Sequence, residues 1–195
     1  EGKEGYGCIV VEQDAPGFQV APYEHKLGWR GTNTGPLSFD NIRLEDDAIL
    51  GDLLTGGFSH RQANMANVIA HSAVSVGCAQ GMLDKTIAYV KERRLYGKDM
   101  YELQPVAYWL AEAHAKIVAM RALIYSNAAA FDRGVVEPAT HNVCKAWVCD
   151  TAFDICARLL QLWGGSGIMD STGVNRYMRD AKAQCIAEGA TEMHY

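Results

Sequence analysis

Near the end of the 195-residue chain, the run "KAQCIAEGATEMHY" sets one carboxylate, Glu188, among Ala187, Gly189 and Ala190. Small, uncharged neighbours leave room for something bulky against the carboxylate and offer no cation to hold it. A dry setting of that kind raises the basicity of a carboxylate. Taken alone, the residue reads as an exposed glutamate. A second group, "KERRLYGK", places Arg93, Arg94 and Lys98 around Tyr96 at a predicted helix end. These cations either complement the negative end of the helix dipole or form an arginine fork for a diphosphate, with the ring packed on a planar group. A third, "GGSG" at residues 164–167, follows a helix C-terminus, where the exposed groups are carbonyls. By itself it is a helix cap and not a phosphate loop, yet its tightness lets another molecule's backbone or a cofactor come close.

Other chemistries find no pattern. Di-iron bundles need Glu-x-x-His on facing helices, whereas Glu112 and His114, like Glu192 and His194, are two apart and point to different faces, so no metal site is expected. His71 lies beside the apolar stripe of its helix and reads as a hydrogen-bonded interior or interface histidine. There is no Gly-x-Ser-x-Gly elbow. Six cysteines include Cys144, Cys149 and Cys156 within one helical stretch and no CxxC pair, which points to buried thiols and a reducing compartment. A net charge of −5 argues against a nucleic-acid surface, and no apolar run is long enough to span a bilayer. No signal peptide is legible at the start, so a cytoplasmic or organellar, mitochondrial-matrix location is expected.

The elements that must position these groups fall into two unlike parts. Up to about residue 52, "YGCIVVEQDAPGFQV" and "TGPLSFDNIRL" are β-branched and aromatic runs broken by turn residues, as in strands of an antiparallel sheet. Leu37, Phe39 and Ile42 are expected to face inward, and two or three strands cannot cover them alone. After Gly56-Gly57, helical periodicity takes over. Leu103, Val106, Leu110, Ala113, Ile117, Met120, Ile124, Ala128 and Phe131 step by three and four, as do Ala139, Val143, Ala146, Cys149, Phe153, Cys156, Leu160 and Trp163. Further helices are expected from about Phe58 to Arg93 and from about Gly173 to Ile186, with stops at Gly97, Gly134 and Gly164-Gly165. The fold class is α+β by content and mainly α: an antiparallel β fragment over residues 1–53, then a four-helix up-down bundle over 54–195.

In order along the chain, "KLGWRGTNTGPLSFDNIRLEDDAILG", "ERRLYGK", "LQLWGGSGI" and "RYMRDAKAQCIAEGAT" resemble the acyl-CoA dehydrogenases from about Gly7 to Thr191. The resemblance implies the end of that family's middle β-domain followed by most of its C-terminal helical bundle. It also implies FAD as cofactor, an acyl-CoA thioester as substrate and electron-transferring flavoprotein as electron acceptor. Glu188 matches the catalytic base that removes the α-proton while a hydride leaves the β-carbon for flavin N5, and its backbone N–H is implied to bind the thioester oxygen. Arg93 matches an arginine reaching the FAD diphosphate of a neighbouring subunit, and Tyr96 stands where a phenylalanine is common. Gln161, Gly164 and Gly165 match the loop along that flavin's tail, and Thr191 completes the implied cofactor contacts. Such sharing implies a homo-oligomer, in this family usually a tetramer. The alternative position for a base, on the first long helix, is Asn67 here.

Departures from the family pattern keep other readings open. Where relatives carry Asp-x-x-Arg for the CoA side of the pocket, this chain has Met65-Ala66-Asn67-Val68, and the usual Gly-Thr-Ser-Gln after the base is Gly189-Ala190-Thr191-Glu192. A lost charged partner in a binding pocket costs about 2–5 kcal/mol unless compensated. A non-catalytic helical-bundle subunit of the same ancestry and a flavin oxidase or monooxygenase are the competing readings.

Overall fold

The computed structural model describes residues 7–51, 56–135 and 137–195, with side chains in the first long helix described from Met65 onward. Contacts divide the chain into two units, Glu1–Lys26 with Arg30–Met65, and Leu27–Trp29 with Ala66–Tyr195. The expected boundary at residues 53 and 54 lies outside the described residues.

Among its described residues the first unit contains four short strands. β1 (Cys8–Ile9) pairs antiparallel with β4 (Ile49–Leu50), and β2 (Phe18–Val20) with β3 (Leu37–Phe39). The register sets Phe18 opposite Phe39 and Val20 opposite Leu37, so these four side chains share one face of the ribbon. That face is not covered: Leu37 is 55% and Phe39 58% exposed, in keeping with the expectation that two or three strands cannot cover it alone. A paired ribbon buries its apolar face only when a second layer packs on it, and the described residues of this unit supply none.

The second unit is helical. The long helix α1 (Gly56–Glu92) is followed by a small hairpin of β5 (Arg94–Leu95) and β6 (Lys98–Asp99). Then come α2 (Gln104–Asp132), α3 (Pro138–Leu162), α4 (Asn175–Ile186) and the short α5 (Thr191–His194). Proline in the first turn of α2 and of α3 sits where no intrahelical N–H is required. The Glu137 side chain accepts hydrogen bonds from the Ala139 and Thr140 amides and starts α3.

On α2 the predicted seam is the observed one, with Val106, Ala113, Ile117, Met120 and Ile124 buried. α3 differs. Ala146, Cys149 and Cys156 are buried as expected, but Val143 is 43% exposed and Cys144, Val148, Ala152, Ile155 and Leu159 join the core. This helix packs against α2, α4 and α5, and an element touched on several sides has no single stripe to read. Buried hydroxyls are satisfied within α1, where Ser72 donates to the Val68 carbonyl and Thr86 to that of Met82. Gly97 is a further correction: α1 stops at Glu92, and Gly97 turns the β5–β6 hairpin instead of capping the helix. No helix of the described residues is long and apolar enough to cross a membrane.

Candidate active site

Glu188 stands on the turn that joins α4 to α5. The Ala187 N–H still bonds to the Ala183 carbonyl, so the helix controls the chain up to that point. The next two residues then have left-handed backbone, Glu188 with φ +53° and Gly189 with φ +89°. For a residue with a Cβ, that conformation costs on the order of 1 kcal/mol and persists only where the surroundings hold it. They do so here through both carbonyls of the turn. His194 Nε2 donates to the Glu188 carbonyl at 2.9 Å, and Lys145 Nζ, from the middle of α3, donates to the Gly189 carbonyl.

The Glu188 side chain is 37% exposed and its Oε1 lies 3.8 Å from His71 Nε2 on α1. His71 Nδ1 is 2.6 Å from Gln184 Oε1 on α4, and the Trp29 ring lies 5.8 Å from the imidazole, centroid to centroid. Because a carboxamide oxygen only accepts, Nδ1 of His71 carries the proton in this arrangement and Nε2 is the nitrogen turned toward the carboxylate. Trp29 is fixed in turn by its N–H, which donates to Asp180 Oδ1 of α4 at 2.7 Å. Three elements therefore converge on one carboxylate. The described residues leave it partly open to solvent, in contrast with the dry surroundings expected around a base.

The other expected cofactor residues divide. Arg93, Gly164 and Gly165 line one groove of about 490 Å³, together with Tyr89 and Trp163. Its floor is aromatic, with the Tyr89 and Trp163 rings stacked at 4.1 Å and 12°, and the indole N–H donates to the Thr86 hydroxyl. Among the described residues no carboxylate forms an ion pair with Arg93. Tyr96 is 95% exposed at the tip of the hairpin, and Gln161 is exposed on the last turn of α3, neither lining the groove. Thr191 is buried at the start of α5. A guanidinium beside a glycine loop and a flat aromatic floor suits an anionic ligand with a planar or flexible tail.

The buried thiols do not belong to a reactive site. Burial pushes Cys144 up to about 11 and Cys185 up to about 12, and raises Cys149 and Cys156 as well. Thiols held protonated in this way are inert packing groups. Among the described residues no three His, Cys, Asp or Glu side chains cluster as metal ligands.

Residues 57–195 match the family model described as "Acyl-CoA dehydrogenase, C-terminal domain". This chain belongs to the acyl-CoA dehydrogenase family. Over 196 residues it is 37% identical to "Probable acyl-CoA dehydrogenase FadE25" of Mycobacterium tuberculosis, covering 98% of this chain and 50% of that relative. The solved structure of butyryl-CoA dehydrogenase from Megasphaera elsdenii superposes with a TM-score of 0.90 at 27% identity, covering 96% of this chain and 49% of that one. A structure described as electron transferring flavoprotein of Acidaminococcus fermentans gives a TM-score of 0.91 at 26% identity, covering 96% and 50%. The chain thus spans about half the length of the curated relatives it matches.

Within this member of the acyl-CoA dehydrogenase family, the sequence singles out Glu188 and does not show what holds its turn. Lys145 and His194 carry no motif. The one legible signal was Lys145 standing four residues before Cys149 on an otherwise apolar helix face, where a charged side chain needs a partner.

Proposed function

We propose that the whole protein is an FAD-dependent acyl-CoA dehydrogenase in which Glu188 removes the α-proton of the thioester substrate. The observation that carries the reading is the Glu188 turn: a carboxylate held on a left-handed backbone whose two carbonyls are both anchored. In this reading a Glu188 oxygen takes the proton as the Cα–H bond breaks. Among the described residues no acceptor takes the Glu188 N–H, which leaves it available to bind the thioester oxygen and stabilise the enolate-like charge. FAD would supply the acceptor for the hydride that leaves the β-carbon, so that an α,β-double bond would result. The groove of Arg93, Gly164 and Gly165 fits the diphosphate and tail of such a cofactor, and these three residues are proposed to hold it, with Tyr96 and Gln161 beside them on the exposed surface.

Residues 1–53 are proposed to be part of the middle β-domain, which accounts for the uncovered face of Phe18, Val20, Leu37 and Phe39. Homo-oligomer formation, as a tetramer, is supported by the outer face of α2. There Tyr108, Ala111, Ala115, Val118, Ala122, Tyr125 and Ala129 step by three and four and all are exposed, Tyr125 to 70%. Electron-transferring flavoprotein is the proposed acceptor, supported by the likeness to the Acidaminococcus structure.

The competing non-catalytic reading is favoured by Val68, which is 3% exposed and packs inward where relatives carry an arginine. Absorbance of the purified full-length protein, titrated with a panel of acyl-CoAs, separates the two. A yellow protein that bleaches with one of them, and whose Glu188→Gln variant bleaches about 10²–10⁴-fold more slowly, supports the enzyme. A colourless protein, or a variant as fast as the parent, removes it.

A further inference from the structure

Lys145 sits in the middle of α3 with no exposed surface and is among the bulkiest fully buried side chains of the chain. Lysine is almost never found in this state, because an ammonium taken out of water is strongly disfavoured unless a polar partner compensates. Packing does not require it: a methionine would fill the same volume among Cys144, Val148 and Cys149 without a buried charge. The ammonium is spent on a backbone oxygen 44 residues away, the carbonyl of Gly189.

That carbonyl belongs to the residue directly after Glu188. Glycine is the softest position of the turn, since it samples either sign of φ freely, and the peptide plane following it needs an external hold if the turn is to keep one shape. The plane before it is held by His194, which donates to the Glu188 carbonyl. Lys145 supplies the second hold, from the middle of the 25-residue α3, whereas His194 is carried on the four-residue α5.

We propose that Lys145 is a positioning residue for Glu188: its buried ammonium clamps the Gly189 carbonyl and so fixes the direction in which the carboxylate is presented. The inference rests on the reading of Glu188 as the base. It gives α3 a role in the reaction that its own surface does not show, because no atom of Lys145 reaches solvent.

The test uses the full-length, flavin-loaded protein with Lys145→Met and Lys145→Gln, and Glu188→Gln alongside. Three quantities are read: kcat and KM separately, the melting temperature, and hydrogen–deuterium exchange of the amides from Ala187 to Thr191. A misdirected turn should lower kcat by about 10- to 100-fold and change KM much less, because the carboxylate and the Glu188 N–H both act mainly in the transition state. In Lys145→Met the melting temperature should hold or rise, since an apolar replacement removes a buried charge. Exchange of the turn amides should increase by about 10-fold or more, a readout that needs no turnover. Folded variants with unchanged kcat and unchanged exchange would overturn the inference. So would a large loss of melting temperature in both variants with full activity per folded molecule, because the lysine would then be structural. The two failures are separable: Glu188→Gln with ordinary turnover removes the base, whereas an inactive Glu188→Gln beside a fully active Lys145→Met removes only the clamp.

Discussion

Two dipeptides of this chain both have left-handed φ at successive residues. Tyr96-Gly97 has φ +52° and +78°, and Glu188-Gly189 has φ +53° and +89°. The first is the two-residue loop of the β5–β6 hairpin, where positive φ at both central residues matches the twist of the strands and the register of Arg94 with Asp99 and Leu95 with Lys98 secures it locally. Its side chain projects almost fully into solvent. The second joins two helices, has no ladder of its own, and is secured by Lys145 and His194. One conformation is thus maintained by neighbours in sequence, the other by side chains on other elements. On the proposed reading of Glu188 as the base, the difference means that its turn can present the carboxylate in a fixed direction while remaining vulnerable to changes elsewhere in the bundle.

Alkaline pH should separate the two turns most. Cys185, three residues before Glu188 on α4, donates to the Cys149 carbonyl of α3, whereas the β5–β6 hairpin carries no cysteine. Burial raises Cys144 from 9.0 to about 11 and Cys185 from 9.0 to about 12. In the unfolded chain these thiols lose protons near their ordinary value while the folded chain retains them. Their stabilising contribution is therefore complete below about pH 9 and declines as pH rises through the folded values. Urea midpoints measured from pH 8 to 11 should fall steadily across that window, and amide exchange should rise at Glu188 before it rises at Tyr96. A flat profile would break the comparison.

The next effect is at the glycines. A Cβ on Gly189 would meet His194 Nε2 at 2.8 Å, whereas one on Gly97 would meet nothing within 4 Å. Gly189→Ala should cost about 1–3 kcal/mol, from backbone strain together with a displaced His194, and suppress turnover. Gly97→Ala should cost about 1 kcal/mol, from strain alone, with turnover preserved. Melting curves and kcat for the pair check this, and equal losses would show that the two turns are held alike. His194→Ala should be milder than Gly189→Ala, near 1 kcal/mol for one lost hydrogen bond, with kcat lowered only a few-fold because Lys145 still holds the turn. Tyr96→Ala should be the smallest, within about 0.5 kcal/mol by thermal melting, as befits an exposed side chain. If Tyr96 also meets a neighbouring subunit's flavin, as proposed, the same variant should lose FAD on dilution faster than the parent while melting at the same temperature.

The same contrast governs how much was legible in the sequence. The α2 seam from Val106 to Ile124 was readable because one face of that helix meets the core and the 3–4 spacing survives. The β5–β6 hairpin was not, since strands of two residues are shorter than any period they could display, and the cations and glycine of "RLYGK" also suit a helix end. On α3, burial on several sides erased the stripe and concealed the lysine within it. Glu188 itself stands out through the family resemblance, as a proposed base. Its supports were invisible because Lys145 and His194 act through backbone carbonyls, which leave no trace in residue types. Thr191 was expected among cofactor contacts, and its burial at the start of α5 follows from the turn drawing that segment against α3.

The central claim is that the Glu188 carboxylate is aimed at a carbon acid. Its most direct test is to incubate the full-length, flavin-loaded protein without oxygen in D2O with an acyl-CoA that bleaches it, recover the thioester, and measure deuterium at Cα by mass spectrometry. Incorporation by the parent protein and none above background by Glu188→Gln is the predicted result. Equal incorporation by both would contradict the account.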